Sequence, residues 1–296
     1  MRPLVSVILP VYRRPAEWLC EAIASVREQH LSDWELLIVD DGSEDEEARR
    51  AFERFRDERL RFYKLPQNRG PAGARNVGAC LARGRYLAFL DSDDRYLPHR
   101  LQRHSELLEA HSEVGFVYGE LIGQFPDGRL TSRPLQGKGR ALPSGWIAPA
   151  LLRRSFIRTS AVTVRQAAFL SVGGFDEALR WNEDDDLWFR LALRYPVLFC
   201  PDPVAVYRFH PGRMSLKRTE AARYQIATYA KYLSWYPELM RALSAPLRRR
   251  LLGIGRLYVS RSLGAGCAPD RSVLGALLKT LRQLRRLRRL VPWECA

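Results

Sequence analysis

Asp91 and Asp93 close the run Arg85-Tyr86-Leu87-Ala88-Phe89-Leu90-Asp91-Ser92-Asp93-Asp94. Side chains alternate faces along an extended chain, so two carboxylates two residues apart point the same way. Hard oxygen donors in that arrangement suit Mg2+ or Mn2+, which take one or two protein carboxylates and draw further ligands from substrate phosphates. The apolar run ahead of them reads as a strand, and open α/β sheets bind ligands beyond the carboxyl ends of their strands. The pair therefore points to a metal–diphosphate site. Taken alone, a solvated turn explains it equally well. Two more acidic clusters, Asp40-Asp41 and Glu183-Asp184-Asp185-Asp186, also follow apolar runs.

The elements that must position these acids alternate through the first third of the chain. Leu4–Leu9 reads as a strand buried on both faces. A helix is expected over 16–28, a strand over 34–39, an exposed charged helix over 44–55 and a strand over 60–65. A helix over 72–82, a strand over 86–90 and a helix over 98–110 complete the rhythm of a parallel sheet with crossovers. Beyond this, Pro126-Asp127-Gly128 signals a hairpin between 114–123 and 129–132, and residues 133–150 read as a loop over the site. Strands are expected over 160–164 and 204–209, and a helix opened by acids over 184–194. From about residue 216 the pattern is helical to the end.

Taken together these segments resemble the family 2 glycosyltransferases. The resemblance rests on Val5-Ser6-Val7-Ile8-Leu9-Pro10-Val11-Tyr12, on Leu37-Ile38-Val39-Asp40-Asp41-Gly42-Ser43, and on Asn68-Arg69-Gly70 with Ala74-Arg75-Asn76-Val77-Gly78. It continues through Phe89-Leu90-Asp91-Ser92-Asp93-Asp94, Gly173-Gly174-Phe175-Asp176 and Glu183 to Trp188, so that it covers roughly residues 4–213. It implies a GT-A fold: a mixed, mostly parallel α/β sheet flanked by helices, over a catalytic domain 1–215, with a helical extension 216–296.

The resemblance also implies roles. Tyr12 would stack on the nucleotide base, Pro10 would shape the loop beneath it, and Asp41 would accept the base imide N–H, which favours a UDP-sugar donor. Arg75 would lie near base and diphosphate. Asp93 would bind a divalent metal (Mn2+ or Mg2+), with Asp91 nearer the ribose and His210 close to the metal. Asp184 would be the general base, with Glu183 orienting the acceptor. A single base and no protein nucleophile imply single displacement with inversion. Each residue also has a plain reading: a core tyrosine at 12, a turn aspartate at 41, a surface arginine at 75. The Gln-x-x-Arg-Trp motif of processive polymerising members does not occur. A single addition is therefore implied, and the resemblance by itself further implies a glycan or lipid-linked acceptor in cell-envelope or exopolysaccharide synthesis.

The net charge of +15 raises nucleic acid as a partner, but its location argues otherwise. Thirteen of the 48 basic residues and only two of the 33 acidic ones lie after residue 240. A basic tail can meet nucleic acid but also an anionic membrane surface, and its plain reading is a C-terminal helix packed on the domain with a solvated basic face; no nucleic acid is expected. Leu274, Leu277, Leu278 and Leu281 form a helical stripe there, from which Leu284 and Leu287 drift. A sugar-nucleotidyltransferase is the alternative enzyme, but its early Gly-rich phosphate loop is missing between Leu9 and Pro15. The five scattered cysteines fit reduced thiols, with Cys20, Cys80 and Cys200 expected to be buried. No signal peptide or spanning segment is visible, so the expected location is cytoplasmic, with peripheral contact at the inner face of the cell membrane.

Overall fold

The computed structural model describes residues 2–137, 142–213, 218–264 and 268–289. The chain divides into two compact units, residues 1–151 with 155–210, and residues 152–154 with 211–296.

The first unit is built on an eight-stranded mixed sheet in the order β3-β2-β1-β4-β7-β6-β8-β5. Its strands are β1 (Val5–Val11), β2 (Trp34–Asp40), β3 (Leu60–Lys64), β4 (Tyr86–Phe89), β5 (Arg95–Tyr96), β6 (Phe116–Gln124), β7 (Val162–Arg165) and β8 (Val197–Arg208). Strands β3, β2, β1 and β4 are mutually parallel, as the strand–helix alternation requires. Strand β7 runs antiparallel to both β4 and β6. Helices α1 (Ala16–Arg27), α2 (Glu47–Glu53), α3 (Gly70–Leu81) and α4 (Arg100–Ala110) follow β1, β2, β3 and β5. The short α5 (Ala148–Arg153), α6 (Gln166–Ser171) and the acid-headed α7 (Glu183–Ala192) come later.

Val5, Val7, Leu9, Leu36 and Ile38 pack with Leu19, Ile23 and Val26 of α1 on one face of the sheet. On the other face Gly78 of α3 lies so close to β1 that a Cβ there would sit 2.5 Å from Ile8 Cγ2. Gly42, after β2, turns the chain with φ +71° against the backbone of Gln67, where no side chain fits.

Three local expectations change. The hairpin after β6 keeps its tight turn, with Gly128 N donating to Phe125 O at 2.9 Å, but its return arm makes one bridge, Gln124 to Leu130, and no strand. Strand β8 begins at Val197, seven residues earlier than its pattern indicated, because Cys200 to Val204 carries a proline-broken irregularity where it pairs with β6. Cys80 is exposed on α3, whereas Cys20 is half-buried and Cys200 buried. The expected loop over 133–150 includes residues 138–141, outside the described residues, and ends where α5 begins.

The second unit holds α8 (Arg218–Trp235), α9 (Pro237–Ala242), α10 (Ser244–Gly264) and α11 (Arg271–Arg289). Tyr229 Oη and Arg250 Nη1 both donate to the Leu152 carbonyl, at 3.0 and 2.7 Å. Helix α11 buries Val273, Leu277, Thr280 and Leu284. Leu284 therefore belongs to the packed face, and it is Leu278 that stands in solvent. A straight helix places positions three and four apart on one face, so the buried row runs through 273, 277, 280 and 284. Among the described residues no helix is long and apolar enough to cross a membrane.

Candidate active site

The parallel strands end side by side. Val11 pairs with Asp40 and Ile8 with Phe89, which gathers Tyr12, Asp41 and Asp91 along one sheet edge. Pro10 lies inside β1, half-buried, and Tyr12 just beyond it is 40% exposed, with the Arg13 guanidinium 5.3 Å from its ring. Asp41 is buried and accepts the Arg69 N–H at 2.7 Å. Burial lifts its carboxyl above the usual range, against the pull of the Arg69 and Gly70 amides. Asp40 Oδ1 accepts the Ser43 N–H at 3.1 Å and braces the same turn.

Asp91 to Asp94 do not continue β4. The strand stops at Phe89 and the acids form a turn closed by Asp94 N donating to Asp91 O at 2.9 Å. The expectation that Asp91 and Asp93 share a strand face is thus replaced, because a turn sends each carboxylate to its own partner. Arg75 Nη2 donates to Asp91 Oδ1 at 2.7 Å. His210 Nε2 lies 2.9 Å from Asp93 Oδ2, and Arg14 Nη2 3.4 Å from the same oxygen. Burial opposes ionisation of Asp93, but the His210 bond and the Arg14 charge hold its carboxyl low. Asp94 is buried, and burial with the charges of Asp93 and Asp91 pushes it well up.

His210 reaches this turn through β8. Arg95 pairs with Val206, so the chain two to four residues on comes back over Asp93 and Asp94, and Arg208 N donates to Asp94 Oδ1 at 3.1 Å. Trp18 of α1 lies against the imidazole, with ring centroids 4.7 Å apart. Two residues make too short a strand to announce itself by periodicity, so neither β5 nor the contacts of Arg14 and Arg208 were visible in the sequence.

The third acidic cluster opens α7. Asn182 enters it with φ +60°, and four consecutive acids fill the first turn, where the helix dipole favours negative charge. Each acid has a different partner. Glu183 Oε1 accepts Arg75 Nη1 at 2.8 Å, and Asp184 Oδ2 accepts Thr159 Oγ1 at 3.2 Å. Asp185 Oδ1 accepts Ser155 Oγ at 2.5 Å, and Asp186 pairs with Arg190 at 2.8 Å. Arg190 also donates to the carbonyls of Val172 and Gly174, and Asn76 of α3 bonds both the N–H and the carbonyl of Phe175. The Gly173-Gly174 turn is thereby pinned between α3 and α7.

Arg75 is the hub. It is buried and bridges Asp91 beyond β4 to Glu183 on α7. Burial disfavours its charge, yet the two carboxylates hold its proton more tightly than usual. Burial and the neighbouring Asp184 raise Glu183 to about 7, which outweighs the Arg75 ion pair. Burial also raises Asp184, opposed chiefly by Arg75. A buried arginine between two carboxylates differs from a surface arginine, and leaves it beside the acids and not free in the cleft.

Among the described residues no three His, Cys, Asp or Glu side chains gather as a complete metal cage. Asp93 and His210 offer one carboxylate and one imidazole in contact, a donor pair that suits a divalent ion completed by substrate phosphates. The residues present fit such an ion.

Comparison with known proteins shows the family and the fold. The profile described as Glycosyl transferase family 2 matches residues 6–165. An uncharacterized glycosyltransferase of Rickettsia conorii is 32% identical over 220 residues, covering 72% of this chain and 35% of that protein. One from Rickettsia typhi is 30% identical over 214 residues, covering 71% and 65%. The chain thus spans less than two thirds of the length of these relatives. The Escherichia coli enzyme UDP-Glc:alpha-D-GlcNAc-diphosphoundecaprenol beta-1,3-glucosyltransferase WfgD is 36% identical over 116 residues, 39% of this chain and 45% of its own. Among solved structures, S. aureus TarS in complex with UDP-GlcNAc superposes with a TM-score of 0.69 at 17% identity, over 96% of this chain and 81% of that one. The mannosyltransferase PcManGT of Pyrobaculum calidifontis, in complex with GDP-Man and Mn2+, gives 0.62 at 20% identity, over 97% and 85%. The profile match over more than half of the chain and the relatives at 30% identity or more make the chain a member of glycosyltransferase family 2, and the superpositions give it the GT-A fold.

Proposed function

We propose that this chain transfers a sugar from a nucleotide-sugar donor, a UDP-sugar in the first instance, to an acceptor hydroxyl with inversion at the anomeric carbon. The observation that carries this reading is the chain of contacts Asp91–Arg75–Glu183, which ties the sheet edge that would hold the donor to the helix whose first turn carries Asp184. Asp184 takes the acceptor proton as the oxygen attacks the anomeric carbon, the bond from that carbon to the diphosphate oxygen breaks with its electron pair staying on the oxygen, and the nucleoside diphosphate leaves. Burial raises its carboxyl, which makes it a stronger base than an exposed aspartate. Tyr12 offers a face to the base, and Asp41 closes the loop beside it. A divalent ion held by Asp93 and His210 would neutralise the leaving diphosphate. The acceptor in this reading is a glycan or a lipid-linked glycan, met at an anionic membrane surface through the basic second unit. The E. coli relative named for a diphosphoundecaprenol acceptor, and the nucleotide-sugar complexes of TarS and PcManGT, support it.

Calorimetry tests the reading. UDP is expected to bind in the presence of Mn2+, and Asp93→Asn to lose that binding. Asp184→Asn should retain it and lose turnover of the accepted UDP-sugar by about 10²–10⁴-fold. A wild type silent to UDP, GDP and dTDP alike would sink the proposal.

A further inference from the structure

Two consecutive hydroxyls join the separate ends of this site. Thr159 and Ser160 form a short 3-10 turn (Thr159–Ala161) ahead of β7, and both are buried. Ser160 Oγ accepts the Asp91 N–H at 3.1 Å and donates to Asp94 Oδ2 at 2.6 Å. Thr159 Oγ1 donates to Asp184 Oδ2 at 3.2 Å. One dipeptide therefore touches the acidic turn on one side and the proposed base on the other. The turn is itself anchored. Arg100 of α4, fully buried, donates to the carbonyls of Ser160 and Val162 at 3.4 and 2.8 Å and to Thr163 Oγ1 at 2.9 Å, with its guanidinium 3.9 Å over the Tyr96 ring.

We propose that Thr159 and Ser160 are positioning residues, which fix Asp184 relative to the Asp91–Asp94 turn so that attacking oxygen, anomeric carbon and leaving diphosphate fall in line. This rests on the functional reading above. The chemistry suits hydroxyls. Ser160 must accept from an N–H and donate to a carboxylate with one atom, which a hydroxyl does and a methyl cannot. Thr159 must offer Asp184 a donor without adding charge. The charged groups around Asp184 are Glu183 and Asp185 on its own helix, Arg75 from α3 and Asp91 beyond β4. Against that set the Thr159 hydroxyl favours the carboxylate form, which is the form that accepts a proton. Alignment is where small displacements matter, since a shift of about 1 Å in a reacting group costs on the order of 10²-fold in rate.

The two hydroxyls carry separable predictions, read from UDP binding with Mn2+ by calorimetry and from the pH dependence of kcat/KM for the accepted UDP-sugar. Ser160→Ala frees the Asp91–Asp94 turn and should weaken UDP binding by about tenfold or more. Thr159→Val should leave UDP affinity unchanged while the acidic limb of the pH profile moves to higher pH, because the carboxylate has lost a donor. Thr159→Ser restores the donor and should return the limb to its wild-type position. Circular dichroism and melting temperature show whether each variant is folded. An acidic limb that stays in place in folded Thr159→Val, or that Thr159→Ser fails to restore, overturns the role of Thr159. Unaltered UDP affinity in folded Ser160→Ala overturns that of Ser160. A wild type that ignores UDP overturns the functional reading first, and this inference with it.

Discussion

Glu183 and Arg75 form a buried ion pair in which the two partners respond differently. The arginine holds its proton more tightly than in water, while burial and Asp184 raise the glutamate from near 4.5 to about 7. Folding therefore takes up protons at Glu183 between those pH values. Its contribution to stability is complete below about pH 4.5 and is lost as the pH rises through about 7. Glu183→Gln removes that slope. The melting temperature of the wild type minus that of the variant should fall across this window, and a flat difference would mean that Arg75 keeps Glu183 ionised throughout. Such pairings explain which residues the sequence could reveal. Asp40, Asp41, Asp91, Asp93 and Glu183 to Asp186 stand out as acids after apolar runs. The partners that set their charge come from far along the chain, and His210 was visible only through the resemblance. Thr159, Ser160, Arg14 and Arg208 carry no local mark, because their value lies in the atoms they meet after folding.

Helix α3 shows how an element carries a site. It holds Arg75 one turn before Gly78, which lies flush against β1 over Ile8, so the close helix–strand approach fixes where Arg75 sits. Gly78→Ala should lower stability by about 1–3 kcal/mol through overpacking, despite the better helix propensity of alanine. A denaturant midpoint at or above the wild type would show that the helix can shift on the strand at no cost. The parallel strands and their helices were legible from continuous apolar runs and helical spacing, with ends displaced by at most three residues. Where the pattern failed, the cause was local. A two-residue β5 has no period, the hairpin arm after Gly128 makes a single bridge, and β8 is interrupted at its middle by Pro201 and Pro203.

At the scale of the whole chain, charge is distributed by unit. Helices α10 and α11 together hold twelve Arg and Lys and no acid. On α10, Leu252, Leu257 and Leu263 stand in solvent among Arg249, Arg256 and Arg261. Apolar side chains set among cations suit the interfacial layer of an anionic bilayer. The intact chain should co-sediment with vesicles of phosphatidylcholine mixed with phosphatidylglycerol, and not with phosphatidylcholine alone. Arg256→Glu with Arg261→Glu should weaken that binding by about tenfold or more. Equal behaviour on the two vesicle types would remove the membrane from the account.

The contact between His210 and Asp93 spans 117 residues, and that between Arg208 and Glu21 spans 187. The consequence reaches back to synthesis. A nascent chain can close β1 to β4 soon after they leave the ribosome, yet the acidic turn at their edge then lacks the strand that answers it. Arg14 can meet Asp93 early, but His210 and the Arg208 amide reach Asp93 and Asp94 only after about 115 further residues have emerged, so the candidate site is among the last features of the first unit to be completed.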